Sequence, residues 1–132
     1  KINMTKYVYA IWRRKTASAQ IKLFNWTWES KINWKELGKY ITRQDLFDAI
    51  YQPLKICWLK DKVFFECEVS GSGPSAQAQA IGHALSRALV KDNEDLRKAL
   101  RMDGLLTRDA RKVERKKPGK KKARKSPSWS KR

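Results

Sequence analysis

KVFFECEVSGSGPSAQAQAIGHALSRALVK, from Lys62 to Lys91, reads as a strand, a glycine turn and a long helix in direct succession. From Lys62 to Ser70 acids alternate with Phe65, Cys67 and Val69, so those three side chains face inward from one side of a strand. Gly71-Ser72-Gly73-Pro74 is a turn that needs glycine freedom. A helix follows from about Ala76 to Lys91, with Ile81, Ala84, Leu85, Ala88 and Leu89 as its buried stripe and Arg87 and Lys91 projecting elsewhere.

The turn also fits G-x-G-x-x-A between a strand and a helix, with Asp92 about twenty residues on, which is the outline of a dinucleotide fingerprint. In that motif the acid ends the next strand and reaches a ribose. Here Asp92 precedes a second helix with no strand between, and the rest of the chain cannot build a doubly wound sheet. What survives is a glycine turn and a helix N-terminus whose N–H groups can meet an anion. In a basic protein that anion could be an RNA phosphate.

Upstream, Lys6 to Ile11 is aromatic and β-branched and reads as a strand, running into the basic cluster Trp12-Arg13-Arg14-Lys15-Thr16. Ala17 to Phe24 alternates, with Ala19, Ile21 and Leu23 on one face and Ser18, Gln20 and Lys22 on the other, a second strand with one wet face. The basic cluster therefore lies at or beside a β-turn, either a phosphate contact or a solvated hairpin tip. Asn25 to Lys35 holds Trp26, Trp28 and Trp34, read as core or protein contact ahead of base stacking. Thr42 with Asp45 forms a capping-box-like pair, Leu46, Ala49 and Ile50 follow at helical spacing, and Gln52-Pro53 ends that helix. Downstream, a further helix runs from Asn93 to Gly104 with Leu96, Ala99 and Leu100 on one face.

Beyond it lies LTRDARKVERKKPGKKKARKSPSWSKR, from Leu106 to Arg132. From Arg111 onward twelve Lys and Arg face a single acid, Glu114, so this segment carries +11 of the chain's net +18. With almost no aliphatic content it cannot offset the entropy of ordering itself, and it becomes ordered against a polyanion. Its 22 residues could span about 70 Å at ~3.3 Å each. The arginines offer planar forks to phosphate, and Trp129 offers a ring for stacking.

The remaining ~105 residues suffice for one modest core and are themselves basic. No 18-residue apolar run, lipidation motif or signal-peptide pattern is visible, and the chain begins at Lys1 rather than Met, which fits a processed or incomplete start. Cys57 and Cys67, ten apart without a CxxC pair and with one His in the chain, argue against a metal site and for reduced thiols. His83 has no Ser, Cys or carboxylate at a recognisable spacing, and no catalytic motif appears. No enzyme, cofactor or small-molecule substrate is expected. Charge alone points to nucleic acid on more than one face and would also fit an acidic protein partner or an anionic membrane surface. The bland reading of the arm is a solvated charge run or a localisation signal. A free-standing nucleic-acid or membrane-surface binder with a nonspecific arm is the alternative to a specific RNA-bound protein.

Five stretches in order resemble the family of small-subunit ribosomal protein nine, bacterial type. Trp12-Arg13-Arg14-Lys15-Thr16-Ala17 resembles G-R-R-K-[TS]-[AS]; Asn33 and Leu37-Gly38-Lys39-Tyr40 resemble N-G-x-x-L-x-x-Y; Gln52-Pro53-Leu54 resembles Q-P-L. Gly71 to Ile81 resembles G-G-G-x-x-G-Q-A-x-A-I, and Leu106 to Arg132 resembles L-T-R-D-x-R-x-x-E-R-K-K-x-G-x-x-x-A-R closing in S-K-R. The tail is the specific part, and the match covers nearly the whole chain. Departures are Trp12, Ser72 and Ala76 for glycines, and Gln20 and Gly82 for arginines, the last two each removing a possible phosphate contact.

The resemblance implies a compact α+β domain, a mixed β-sheet covered by helices, related in fold to the C-terminal domain of small-subunit ribosomal protein five. The globular domain would span residues 1–105 and a long extended basic C-terminal arm residues 106–132. It implies a structural constituent of the small ribosomal subunit, serving translation among neighbouring proteins of the head. Contact with rRNA would fall on Arg13, Arg14, Lys15, Gly71, Gly73 and Gln77, and along the arm on Arg108, Arg111, Lys112, Arg115, Lys116, Lys117, Lys120, Lys121, Lys122, Arg124 and Lys125. Contact with the anticodon stem-loop of peptidyl-site tRNA would fall on Ser130, Lys131 and Arg132. The tail type points to a bacterial cytoplasm, a mitochondrion or a plastid, and the Ile-, Asn-, Lys-, Tyr- and Trp-rich N-terminal half leans toward an organelle or a reduced genome.

Overall fold

The computed structural model describes residues 7–27, 29–41, 43–59, 62–107, 111 and 114–126. In chain order these form β1 (Val8–Arg14), β2 (Ala17–Phe24), β3 (Lys31–Ile32), β4 (Lys35–Glu36), α1 (Leu37–Tyr40), α2 (Gln44–Ile56), β5 (Phe64–Ser70), α3 (Pro74–Asp92), a 3-10 turn (Glu94–Leu96) and α4 (Arg97–Met102). The sheet order is β1-β2-β5-β3-β4, antiparallel except for β3 beside β5. It is the mixed sheet of an α+β domain. α3 packs on β1 and β2, and α2 packs on α3, so the helices cover one face. The core fills the space between, from Ala19, Ile21 and Leu23 on β2 and Phe65, Cys67 and Val69 on β5 to Ile81, Ala84, Leu85, Ala88 and Leu89 on α3.

β1 runs through the basic cluster instead of ending at Ile11. Ala10, Trp12 and Arg14 alternate into the helix-covered face, and Trp12 and Arg14 lie opposite the small residues Ala19 and Ala17. Pairing to β2 and burial of the Trp12 ring outweigh the local charge density, leaving Lys15 and Thr16 as the turn, with Lys15 at φ +54°. Lys91 of α3 donates to the Tyr9 carbonyl at 2.8 Å, a lysine blunting an edge strand.

α2 also departs from expectation, because Pro53 lies inside it and the helix continues to Ile56. Proline has no N–H to give the Ala49 carbonyl four residues back. That carbonyl faces Gly82 of α3, where a Cβ would stand 3.0 Å from it, so glycine lets the two helices close over the gap. Burial of Leu54, worth about 1.5–3 kcal/mol, stands against about 3 kcal/mol for an interior proline. Thr42 lies outside the described residues. Asp45 pairs with Arg43, the N-cap residue, at 2.7 Å, and no side chain caps the helix.

The helix expected from Asn93 opens as the 3-10 turn, with Asn93 Oδ1 accepting the Asp95 N–H at 3.1 Å. α4 then ends as Gly104 and Leu105 donate to the carbonyls of Arg101 and Leu100.

β3 and β4 are joined by Asn33 and Trp34, both at positive φ (+49° and +68°), the two-residue hairpin pattern that favours Asn-Gly. Asn33 extends the β3–β5 pairing with its side chain: Nδ2 donates to the Val69 carbonyl and Oδ1 accepts the Val69 N–H, each at 2.8 Å. Trp34 holds the glycine position at a cost of about 1–2 kcal/mol, and the residue is 79% exposed.

The helix-free face carries a second aromatic cluster. Phe24 and Phe64, cross-strand partners, stack at 4.7 Å, and Trp26 packs edge-on against both. Trp26 thus fills volume, as expected; Trp28 lies outside the described residues. Both cysteines are free thiols. Burial, and secondarily the Glu68 carboxylate, push Cys67 up to about 12; burial also raises Cys57.

Candidate nucleic-acid interface

Three basic or anion-receptive features meet at one end of the sheet. The first is the β1–β2 turn, which leaves Arg13 and Lys15 exposed. The second is the Gly71–Gly73 loop leading into α3. Gly71 lies at φ +84° so close to the turn that a Cβ there would stand 2.3 Å from the Thr16 carbonyl oxygen. The third is the root of the arm. Arg14, buried, donates from Nε to Gln79 Oε1 of α3 and from Nη1 to the Arg111 carbonyl, both at 2.8 Å. Arg14 therefore binds strand, helix and arm together, and these two bonds direct its guanidinium inward.

The glycine loop is held from below. Gln77 Nε2 donates to the Gly71 carbonyl at 3.0 Å, and Gln77 Oε1 accepts the Tyr40 hydroxyl at 2.8 Å, which in turn accepts from Asn33 Nδ2 at 3.3 Å. Gln77 is thus a positioning residue for the turn. Above it, Gly73 is the N-cap of α3 and Pro74 fills its first turn, with no side chain capping the end. The N–H groups of that turn and the positive end of a 19-residue helix suit an anion.

A second joint anchors the same region. His83 Nδ1 donates to the Leu105 carbonyl at 2.6 Å, its ring stacks on Trp12 at 5.4 Å, and the Arg87 guanidinium lies over the Trp12 ring at 5.2 Å. His83 is a packed residue holding the exit of α4. Neither Gln79 nor Leu105 was legible as a partner, since each joint spans more than twenty residues and one end of the second is a backbone carbonyl.

Within the arm, Lys117 to Lys120 forms a turn, with Lys120 N–H reaching the Lys117 carbonyl and Lys121 N–H reaching that of Lys125. Glu114 accepts from Lys117 Nζ at 2.8 Å and from Arg124 Nε at 2.9 Å. Such exposed pairs are worth about 0–1 kcal/mol, so they bias the turn without locking it. Arg111, Arg115, Lys116, Lys120, Lys121, Lys122, Arg124 and Lys125 are exposed, and Lys117 is half-buried. Arg108, Lys112, Ser130, Lys131 and Arg132 lie outside the described residues. Among the described residues no cluster of three His, Cys, Asp or Glu could hold a metal, and no helix is long and apolar enough to cross a membrane.

The family model described as Ribosomal protein S9/S16 matches residues 12–132, taking in both the basic turn and the arm. The chain is similar to the small ribosomal subunit protein uS9 of Lawsonia intracellularis, at 45% identity over 128 residues covering 97% of this chain and 98% of that protein. With a whole-length relative and a model spanning body and arm alike, the chain belongs to the ribosomal protein S9/S16 family, whose members are structural and not enzymatic.

Proposed function

We propose that this chain, a structural constituent of the small ribosomal subunit, docks its globular part (residues 1–105) on rRNA of the head and runs its arm (residues 106–132) along rRNA to peptidyl-site tRNA. The observation that carries this reading is the Arg14 joint, which fixes the arm's root beside the basic turn and the N-terminus of α3. Phosphate contacts would begin on Arg13 and Lys15, continue onto the first turn of α3 and run on through the arm. Such contacts neutralise charge and position the chain with little dependence on base sequence. Selectivity would come from the shape of folded RNA against the docked body. At the far end, Ser130, Lys131 and Arg132 would hold tRNA by its backbone, which suits a site that accepts every tRNA. Neighbouring proteins of the head complete the surroundings, in a bacterial cytoplasm or an organelle; the Lawsonia intracellularis relative is bacterial.

A high-salt wash of small subunits carrying the full chain tests this reading. The full chain is expected to co-sediment at salt concentrations that strip an arm-only peptide of residues 106–132, because shape-matched docking adds to the screened phosphate term. Release of both at the same salt would make the chain a nonspecific polyanion binder.

A further inference from the structure

We infer that the helix-free face of the sheet is a docking surface for an extended, Lys/Arg-bearing segment of a neighbouring protein in the small subunit, seated between Tyr9 and Trp34 over Glu68. This rests on the reading that the chain resides in that subunit. Tyr9 and Trp34 border a hollow of about 130 Å³ whose charged lining is Lys22, Lys31, Glu66 and Glu68. Glu66 has Lys22 and Lys31 as its cross-strand neighbours, and Lys22 Nζ lies 5.1 Å over the Tyr7 ring. Glu68 has only Gln20 opposite it, and among the described residues no ion pair engages it. Aromatic walls with a free carboxylate between them are the chemistry that receives a guanidinium or ammonium.

Trp34 supplies the independent argument. Its backbone adopts φ +68° at a hairpin position that favours glycine, and the residue is 79% exposed, with no hydrogen bond or ring contact from its side chain among the described residues. Strain of this kind is retained where a displayed side chain has a use. Tyr9 and Ile11, each 39% exposed, continue the apolar surface on the same face. Lys22 and Lys31 offset the carboxylates at the Tyr9 end, but in the adjoining hollow past Trp34 the one charged side chain in the lining is Glu68, so a cationic protein segment fits there better than an RNA phosphate does. The basic end of the molecule lies at the β1–β2 turn instead.

The test uses the full chain, free and in small subunits. Hydroxyl-radical labelling of Trp34 is expected to fall several-fold on incorporation. A chain with Trp34 replaced by p-benzoylphenylalanine is expected to photo-cross-link to a Lys/Arg-containing stretch of another protein, and adding Glu68→Lys should abolish that adduct while the chain stays in the subunit. Trp34→Gly should raise the thermal midpoint of the isolated chain by several degrees while abolishing the docking, which separates the interaction from folding. Unchanged labelling, an adduct on rRNA, or an adduct that survives Glu68→Lys would overturn the inference. A chain absent from the subunits altogether would instead overturn the reading on which it rests.

Discussion

A chain ending at Thr107 is expected to bind small-subunit rRNA with a much shallower salt dependence than the full chain. Thirteen Lys and Arg lie beyond Thr107, and the log–log slope should fall by roughly 0.7–0.9 for each phosphate contact removed. If six to ten of them touch phosphate, the full chain loses on the order of 10³–10⁵ in affinity between about 50 and 200 mM salt. The truncated chain would keep only the contacts proposed for the body, at Arg13, Lys15 and the start of α3, and its affinity should fall by orders of magnitude less. Filter binding to head-domain rRNA across a salt series reads this directly. Parallel slopes would mean that the body carries the phosphate contacts and the arm few of them.

The second large effect is on stability. Gly71→Ala is expected to destabilise the chain by about 3 kcal/mol or more, from roughly 1–2 kcal/mol of backbone strain at φ +84° and about 1–3 kcal/mol of forced packing. The forced contact is the 2.3 Å approach to the Thr16 carbonyl oxygen, a backbone atom that cannot rotate away. Gly73→Ala is the control. A Cβ there meets nothing within 4 Å and its φ is −109°, so only the N-cap preference for glycine over alanine is forfeited, within about 1 kcal/mol. Thermal unfolding should separate the two by ten degrees or so for a domain of this size. Equal midpoints would contradict the close seating of the glycine loop on the β1–β2 turn.

The sequence was most legible where local pattern and tertiary demand coincide. Ala17–Phe24 alternates because one sheet face is covered by helices and the other is not, and the strand falls where the alternation places it. The stripe on α3 is buried from Ile81 to Leu89 for the same reason. Legibility failed where a distant partner decides. Pro53 looked like a stop, but the carbonyl it leaves without a helical donor faces Gly82, twenty-nine positions later. β1 looked finished at Ile11, but the alanines of β2 make room for Trp12 and Arg14. β3, β4 and α1 were hidden because they are short and Trp34 occupies the place where a glycine would have announced the hairpin.

The interface divides in the same way. The exposed charges of the arm follow from composition alone, whereas Arg13 stays exposed beside a buried Arg14 because β1 alternates. That Arg14 and Gln77 turn inward, one to hold the arm and the other the glycine loop, depends on partners 65 and 97 residues from Arg14 and 37 from Gln77.

That the arm ends on peptidyl-site tRNA is tested most directly by tRNA affinity for small subunits carrying either the full chain or a chain lacking Ser130 to Arg132, across a salt series. The expected result is intact assembly, weaker peptidyl-site binding and a log–log slope shallower by about one for each phosphate contact that the truncation removes, placing Lys131 and Arg132 on the tRNA backbone. Superimposable curves would contradict it and confine the arm to rRNA.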